Sequence, residues 1–237
     1  MNHFYQACKE LIFPAYCLEC GRQLPCWELP LFCDDCLARV SFIGSPVCVC
    51  CGIPFNSGND HLCGQCLTSP YSFQLARAAV LYREPVASLI SSLKFKRDLT
   101  VLSTLASLVT TSAGFRMLSR PDIILPVPLH RERLRKRSFN QALLLAKAIF
   151  PENKSKIMPS LLVRYRVTAP QTGLSGTQRR RNLSKAFSVK QSQMVQGQNI
   201  LLVDDVFTTG STVNECARIL CQSGAKKVEV LTLARAF

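Results

Sequence analysis

Four C-x-x-C pairs, Cys17/Cys20, Cys33/Cys36, Cys48/Cys51 and Cys63/Cys66, open this 237-residue chain and constrain its folding more than any other feature. The first and third are followed by glycine (CLECG, CVCCG), the second and fourth by leucine (CDDCL, CGQCL). One half of the region therefore repeats the other, with Cys17 matching Cys48 and Cys33 matching Cys63, and the gap between pairs is nearly equal in both halves. Two short cysteine turns clasping one ion supply the four soft ligands of a tetrahedral Zn²⁺ site, and four thiolates leave no open position for catalysis. Glycine after a pair lets the backbone turn so that amides face the sulfurs. The spacing predicts two structural Zn²⁺ sites, although the same ligands also suit an iron–sulfur cluster. Cys50 and His61 are expected to stand outside them. So small a module buries little apolar surface, and the metal is expected to supply its folding free energy.

Eleven of the 13 cysteines fall at or before Cys66. MNHFYQACKELIFP has both acid and base near its start and no long apolar run, so it does not read as an export signal. The expectation is a cytoplasmic protein, in which metal binding is favoured over disulfides. Cys8, Cys216 and Cys221 read as small buried residues. The uncharged stretch Leu99–Phe115 is rich in Ser and Thr, which suits a buried or amphipathic helix and not a membrane span. No membrane insertion is expected.

The formal net charge is +14, and all of it is regional. Residues 116 to 190 hold 17 Lys and Arg against three acids, Asp122, Glu132 and Glu152, and the remainder of the chain balances. Eight thiolates and two Zn²⁺ would lower the total to about +10 without touching that segment. Such a distribution points to an anionic partner on one part of the surface.

After about residue 70 the pattern changes. FQLARAAVLY, DIILPVP (122–128), NILLVDDV and KVEVLTLAR read as strands. EPVASLISSLKF, FNQALLLAKAIF and the stretch from Ser211 to about Gln222, closed by Gly224, read as helices. In the last of these Val213, Cys216, Ala217 and Leu220 share one face. Alternating strands and helices predict a mostly parallel sheet covered on both sides, with ligands beyond the C-terminal strand ends. The chain divides accordingly into a cysteine-rich module, 1–70, and an α/β domain, 71–237.

One stretch of that domain carries chemistry: ILLVDDVFTTGSTV, residues 200–213. A P-loop ATPase also has an acidic strand end, but no glycine here precedes a lysine. A receiver domain places its acids at an early strand, whereas too little chain follows Asp205 to complete one. A sugar-phosphate site remains. Adjacent carboxylates accept hydrogen bonds from ribose hydroxyls, and a hydroxyl-rich turn opening a helix offers free amides to a phosphate between residues 208 and 212. Gly210 lets the backbone curl closely.

LLVDDVFTTGST resembles the phosphoribosyl pyrophosphate (PRPP) motif of type I phosphoribosyltransferases. LPVPLHRERLRKRSFNQALLLA and TAPQTGLSGTQRRRNLSKAF narrow the resemblance to the ComF family, competence-associated proteins with a cysteine-rich N-terminus. The likeness spans most of the chain. Arg131 stands where the family often has proline and Ser138 where it has glycine, which suggests positive φ at 138.

The resemblance implies a type I phosphoribosyltransferase-like α/β fold with a double zinc ribbon. It places Asp204 and Asp205 on the ribose hydroxyls, directly or through Mg²⁺, and Thr208, Thr209, Gly210, Ser211 and Thr212 on the 5′-phosphate. His130, Arg131 and Arg133 would meet pyrophosphate, with Gln171, Arg179, Arg180 and Asn182 as loop contacts. Lys94 is a further candidate and reads equally well as an exposed helix-end lysine. An active transferase with a small nitrogen acceptor is one reading. Another is a competence protein that keeps the PRPP pocket and handles single-stranded DNA, with Arg133, Arg135, Lys136, Arg137, Arg179, Arg180 and Arg181 on phosphates and Phe139 or Tyr165 stacking bases. A third is a zinc-stabilised adaptor for other uptake proteins. Whether the chain is an enzyme stays open at this stage.

Overall fold

The computed structural model of the chain describes residues 14–165 and 186–236. Its centre is a four-stranded parallel sheet of β1 (Leu75–Leu81), β2 (Ile123–Pro126), β5 (Asn199–Phe207) and β6 (Lys227–Arg235), in the order β1-β6-β5-β2. The short strands β3 (Leu162–Arg164) and β4 (Phe187–Val189) form a separate antiparallel pair. The strand register sets Asp204 of β5 beside Thr232 of β6 and Leu125 of β2 beside Leu202.

Both faces of the sheet are buried, as near-continuous apolar strands require. Ile123, Leu125, Ile200 and Leu202 point into one core and Ile124, Leu201 and Val203 into the other, following the two-residue side-chain period. On the second face lie α3 (Val86–Ser91), α4 (Val101–Thr111) and α7 (Gln141–Ile149). The first face is covered by α8 (Ser211–Gln222), whose Val213, Cys216, Ala217 and Leu220 form the expected stripe. Cys221 is exposed, contrary to the sequence expectation, because it lies off that stripe in the last turn. Cys216 is buried as expected, and Cys8 lies outside the described residues.

The stretch read as one helix over 84–95 is two elements. Helix α3 ends at Ser91 and continues as a wider π turn, Ser92–Lys96, closed by Arg97 in the left-handed region. Such a turn re-aims side chains and is common at functional sites. Helix α4 occupies the uncharged Ser/Thr-rich stretch, and among the described residues no helix is long and apolar enough to cross a membrane. The short α5 (Ala113–Arg116) precedes β2, and the basic RERLRKR segment after β2 forms α6 (Arg131–Arg137).

Each half of the cysteine module is a glycine-closed turn followed by a short helix. Gly21 and Gly52, at φ +71 and +70, donate back to the Cys17 and Cys48 carbonyls at 2.9 Å. Helices α1 (Asp34–Ala38) and α2 (Gly64–Thr68) begin directly after Cys33 and Cys63 and carry Cys36 and Cys66. The two halves straddle the sheet: Cys17, Cys33 and Cys36 join the core beneath α3 and α4, while Cys48, Cys51 and Cys66 join the core beneath α8.

Candidate functional site

The acid pair sits where β5 is about to leave the sheet. Asp205 is buried, and its carboxylate meets Lys94 Nζ in an ion pair and Gln141 Nε2 at 3.3 Å. The π turn is what brings Lys94 to this point. Gln141 is fixed from the other side by Arg137 Nη1 at 2.7 Å, so α6, α7 and β5 are tied into one polar network. Asp204 Oδ1 accepts from the Asp205 amide at 2.9 Å. Burial, then the adjacent Asp205 charge, raises the Asp204 carboxyl well above the usual carboxylate range. Burial also opposes ionisation of Asp205, but the Lys94 ammonium, with hydrogen bonds from Asp204 and Gln141, outweighs it and holds Asp205 low. The coupled pair therefore titrates in two separated steps, with Asp205 the more acidic member.

Beyond Phe207 the chain turns through Thr208 and Thr209, both exposed, to Gly210 at φ +69, the N-cap of α8. Only glycine fits there, since a Cβ would stand 2.4 Å from Cζ of Phe207. No side chain caps α8, which leaves its first amides open to a ligand. The Thr209 and Ser211 hydroxyls bond each other at 2.8 Å, and Thr212 is half-buried beside them. An uncapped helix start of this kind is suited to an anion, and the acids lie five to six residues upstream.

His130 is buried and caps α6, its Nδ1 accepting from the Glu132 amide at 3.3 Å. Arg131, Arg133, Arg135 and Lys136 are exposed on α6, whereas Arg137 points inward to Gln141. Ser138 has φ 70, the positive value that its place in the motif suggested. A cavity of 810 Å³ follows β2, lined by Leu129, Arg131, Phe139, Arg164, Tyr165 and Lys190 among others. Phe139 is half-buried there and Tyr165 is 55% exposed. Gln171, Arg179, Arg180, Arg181 and Asn182 lie outside the described residues.

The two tetrads, Cys17/Cys20/Cys33/Cys36 and Cys48/Cys51/Cys63/Cys66, each bring four sulfurs within 4.8 Å of one another, a donor set consistent with structural zinc. Cys26, Cys50 and His61 stand outside them; the His61 ring stacks on Phe55 at 4.0 Å. In each tetrad one thiol is far more acidic than another. Burial opposes ionisation of Cys17 and Cys48, but surrounding backbone amides outweigh it and lower both to about 6. Arg39 lowers Cys36, yet burial and the neighbouring thiols raise it overall to about 12, and burial pushes Cys51 up to about 11.

The surroundings of the second tetrad supply an independent test of fit. Arg77 of β1 and Arg235 of β6, 4% and 6% exposed, both turn toward it. Arg77 donates to the Cys48 and Val49 carbonyls at 3.3 Å, and Arg235 donates to the Cys51 carbonyl at 2.6 Å and faces Cys51 Sγ at 3.7 Å. Four thiolates around a divalent cation carry a net charge of about −2, which two buried guanidinium groups balance. Beside the first tetrad, the arginines among the described residues are the exposed Arg22 and Arg39.

Sequence reasoning missed Gln141, Arg77 and Arg235. Their signals are a glutamine inside the FNQ motif and arginines inside the apolar runs ARAAVL and LTLARAF. Lys94, which also reads as an exposed helix-end lysine, is at the site.

Fold and site together define an α/β protein of the phosphoribosyltransferase type with a paired cysteine module. The double zinc ribbon domain model matches residues 8–67, and the phosphoribosyl transferase domain model matches 155–236. The chain is 36% identical over 230 residues to the DNA utilization protein YhgH of Escherichia coli O157:H7, covering 95% of this chain and 99% of that one. It is 33% identical to competence protein F of Haemophilus influenzae, covering 93% and 96%, and 27% identical to competence protein ComFC of Bacillus subtilis, covering 86% and 83%. The chain belongs to the ComF family.

Proposed function

We propose that this chain acts in DNA uptake on the cytoplasmic side, with a PRPP pocket in its 71–237 domain and a basic surface for single-stranded DNA. The observation that carries the pocket is the Asp204–Asp205 pair, wired to Lys94 and Gln141 and followed by an uncapped helix start at Gly210. Asp204 and Asp205 take the ribose hydroxyls and hold Mg²⁺, a hard cation for which adjacent carboxylates are fitting donors. Mg²⁺ supplies neutralisation of pyrophosphate charge. Residues 208–212 take the 5′-phosphate. His130, Arg131 and Arg133 face pyrophosphate, joined by Gln171, Arg179, Arg180 and Asn182.

The DNA surface rests on family membership, on relatives named for competence and DNA utilization, and on four exposed cations along α6. Arg133, Arg135 and Lys136, with Arg179, Arg180 and Arg181, contact phosphates; Arg137 serves the acid pair instead. The 1–70 ribbons dock other uptake proteins. A second reading, active transfer of ribose 5-phosphate to a nitrogen acceptor, is favoured by one observation: the matched phosphoribosyl transferase region contains the acid pair and the phosphate turn.

Calorimetry with PRPP and Mg²⁺ tests the pocket. Binding that is lost in Asp204→Asn/Asp205→Asn supports it, and no binding to the zinc-loaded wild type overturns it. A screen for pyrophosphate release across nitrogen acceptors then separates the two readings. DNA uptake that survives the double substitution would make the pocket dispensable for that role.

A further inference from the structure

The phosphate turn and the second cysteine tetrad share a wall. A cavity of 370 Å³ has Cys51, Cys63 and Gln65 on one side and Thr208, Thr209 and Ser211 on the other, with Arg235 lining it. Arg235 reaches both. Its guanidinium holds the Cys51 carbonyl at 2.6 Å and lies 4.4 Å above the Phe207 ring. Phe207 is the ring against which Gly210 is pressed, so the position of that ring sets the curl of the turn. A second tie runs parallel: Tyr71, just after the second ribbon, donates its hydroxyl to the Thr209 carbonyl at 3.1 Å, and the Ser72 amide donates to Asn214 Oδ1 at 2.6 Å.

The ribbon end of this linkage is itself rigidly seated. The Ala76 amide of β1 donates to the Cys50 carbonyl at 2.7 Å, and a Cβ on Gly52 would stand 2.6 Å from the Ala76 carbonyl. Arg235 Nε is buried with no hydrogen-bond partner among the described residues. Its charge is therefore answered by the tetrad and the aromatic ring. The first tetrad makes no comparable link among the described residues: it packs beneath α4, where the Leu31 amide donates to Thr104 Oγ1 at 3.0 Å.

We propose that Arg235 is a positioning residue through which metal occupancy of the second tetrad, and not the first, sets the geometry and affinity of the phosphate turn. With the tetrad charged and closed around its ion, the guanidinium is held between Cys51 and Phe207, and Phe207 holds Gly210. Without the ion the guanidinium loses its counter-charge, the ring loses its partner and the turn loosens. The inference rests on the PRPP reading for its ligand but not for its mechanical link.

The test compares zinc-loaded wild type, Arg235→Lys, Cys63→Ser/Cys66→Ser and Cys33→Ser/Cys36→Ser. Arg235→Lys retains charge and loses the planar contact with Phe207, and it serves where the cysteine variant does not fold. Readouts are zinc per chain, hydrogen exchange across positions 207–212, and PRPP affinity with Mg²⁺. The expected result is faster exchange in that segment and about tenfold weaker PRPP binding in Arg235→Lys with zinc content retained. The first-tetrad variant, at half the zinc, keeps both at wild-type values. Reciprocity requires that PRPP slow chelator-driven loss of one zinc per chain. Wild-type exchange and affinity in Arg235→Lys, or equal effects from the two cysteine variants, overturn the proposal. Failure of wild type to bind PRPP while the exchange differences persist sinks the PRPP reading and leaves the link standing.

Discussion

Asp204 and Asp205 share one environment and titrate in opposite directions. Asp204 keeps its proton above the ordinary carboxylate range, so the folded chain binds more protons there than the unfolded chain does. Stability from this residue is present below the unfolded carboxylate pKa and falls as pH rises toward the folded one. Asp205 does the reverse: its depressed pKa contributes stability above the unfolded value that is lost in acid. Asp204→Asn removes the first effect. Without ligand, the stability of the wild type relative to Asp204→Asn should fall as pH rises above the ordinary carboxylate range, read from unfolding free energies across pH. Ser138 offers a second test. An L-residue at φ 70 costs about 1–2 kcal/mol, partly offset by the greater unfolded entropy of glycine. Ser138→Gly should therefore raise stability by about 0.5–1 kcal/mol, a Tm gain of roughly 2–3 °C by calorimetry. The opposite change, Gly210→Ala, forces a Cβ into Phe207 and should cost about 2–4 kcal/mol in denaturant unfolding.

Among the elements, α6 divides its charges between two tasks. Arg137 faces the acid pair, where burial lowers its pKa against the pull of Asp205, and the exposed residues face solvent. Arg135→Gln/Lys136→Gln should reduce the salt slope of single-stranded DNA binding by about 1.4, read by anisotropy across a salt series, with PRPP affinity changed less. The π turn after α3 shows the limit of periodicity. Helical spacing over EPVASLISSLKF located the element, but one wider turn decided that Lys94 meets Asp205. Such a turn depends on packing against α4 and on the ion pair with β5, which local spacing does not encode. The four strands of the parallel sheet and α8 were legible to within about two residues because each carries its own apolar pattern, whereas the short β3 and β4 were not read.

For the molecule as a whole, the ribbons are not an appendage. Each tetrad completes the core on one face of the sheet, so metal removal should destabilise the α/β domain as well as the cysteine module. The two sites should differ in cost. Opening the second leaves Arg77 and Arg235 buried without their counter-charge, a loss of about 3–5 kcal/mol beyond that of the metal itself. Chemical denaturation of the two cysteine variants should show the second-tetrad variant to be the weaker by that margin.

The cysteine tetrads, the four strands of the parallel sheet with the helix after β5, and the acid pair with its Thr- and Ser-rich turn all follow from the amino-acid sequence alone. Each is encoded in spacings of a few residues, within reach of local chemistry. Which residues complete them is a matter of tertiary packing. Lys94, Gln141 and Arg137 lie far along the chain from Asp205, and Arg235 lies 184 residues from Cys51. Their partners are chosen by which strands the sheet sets side by side, and a buried charge shows its purpose only when the group that balances it is in place.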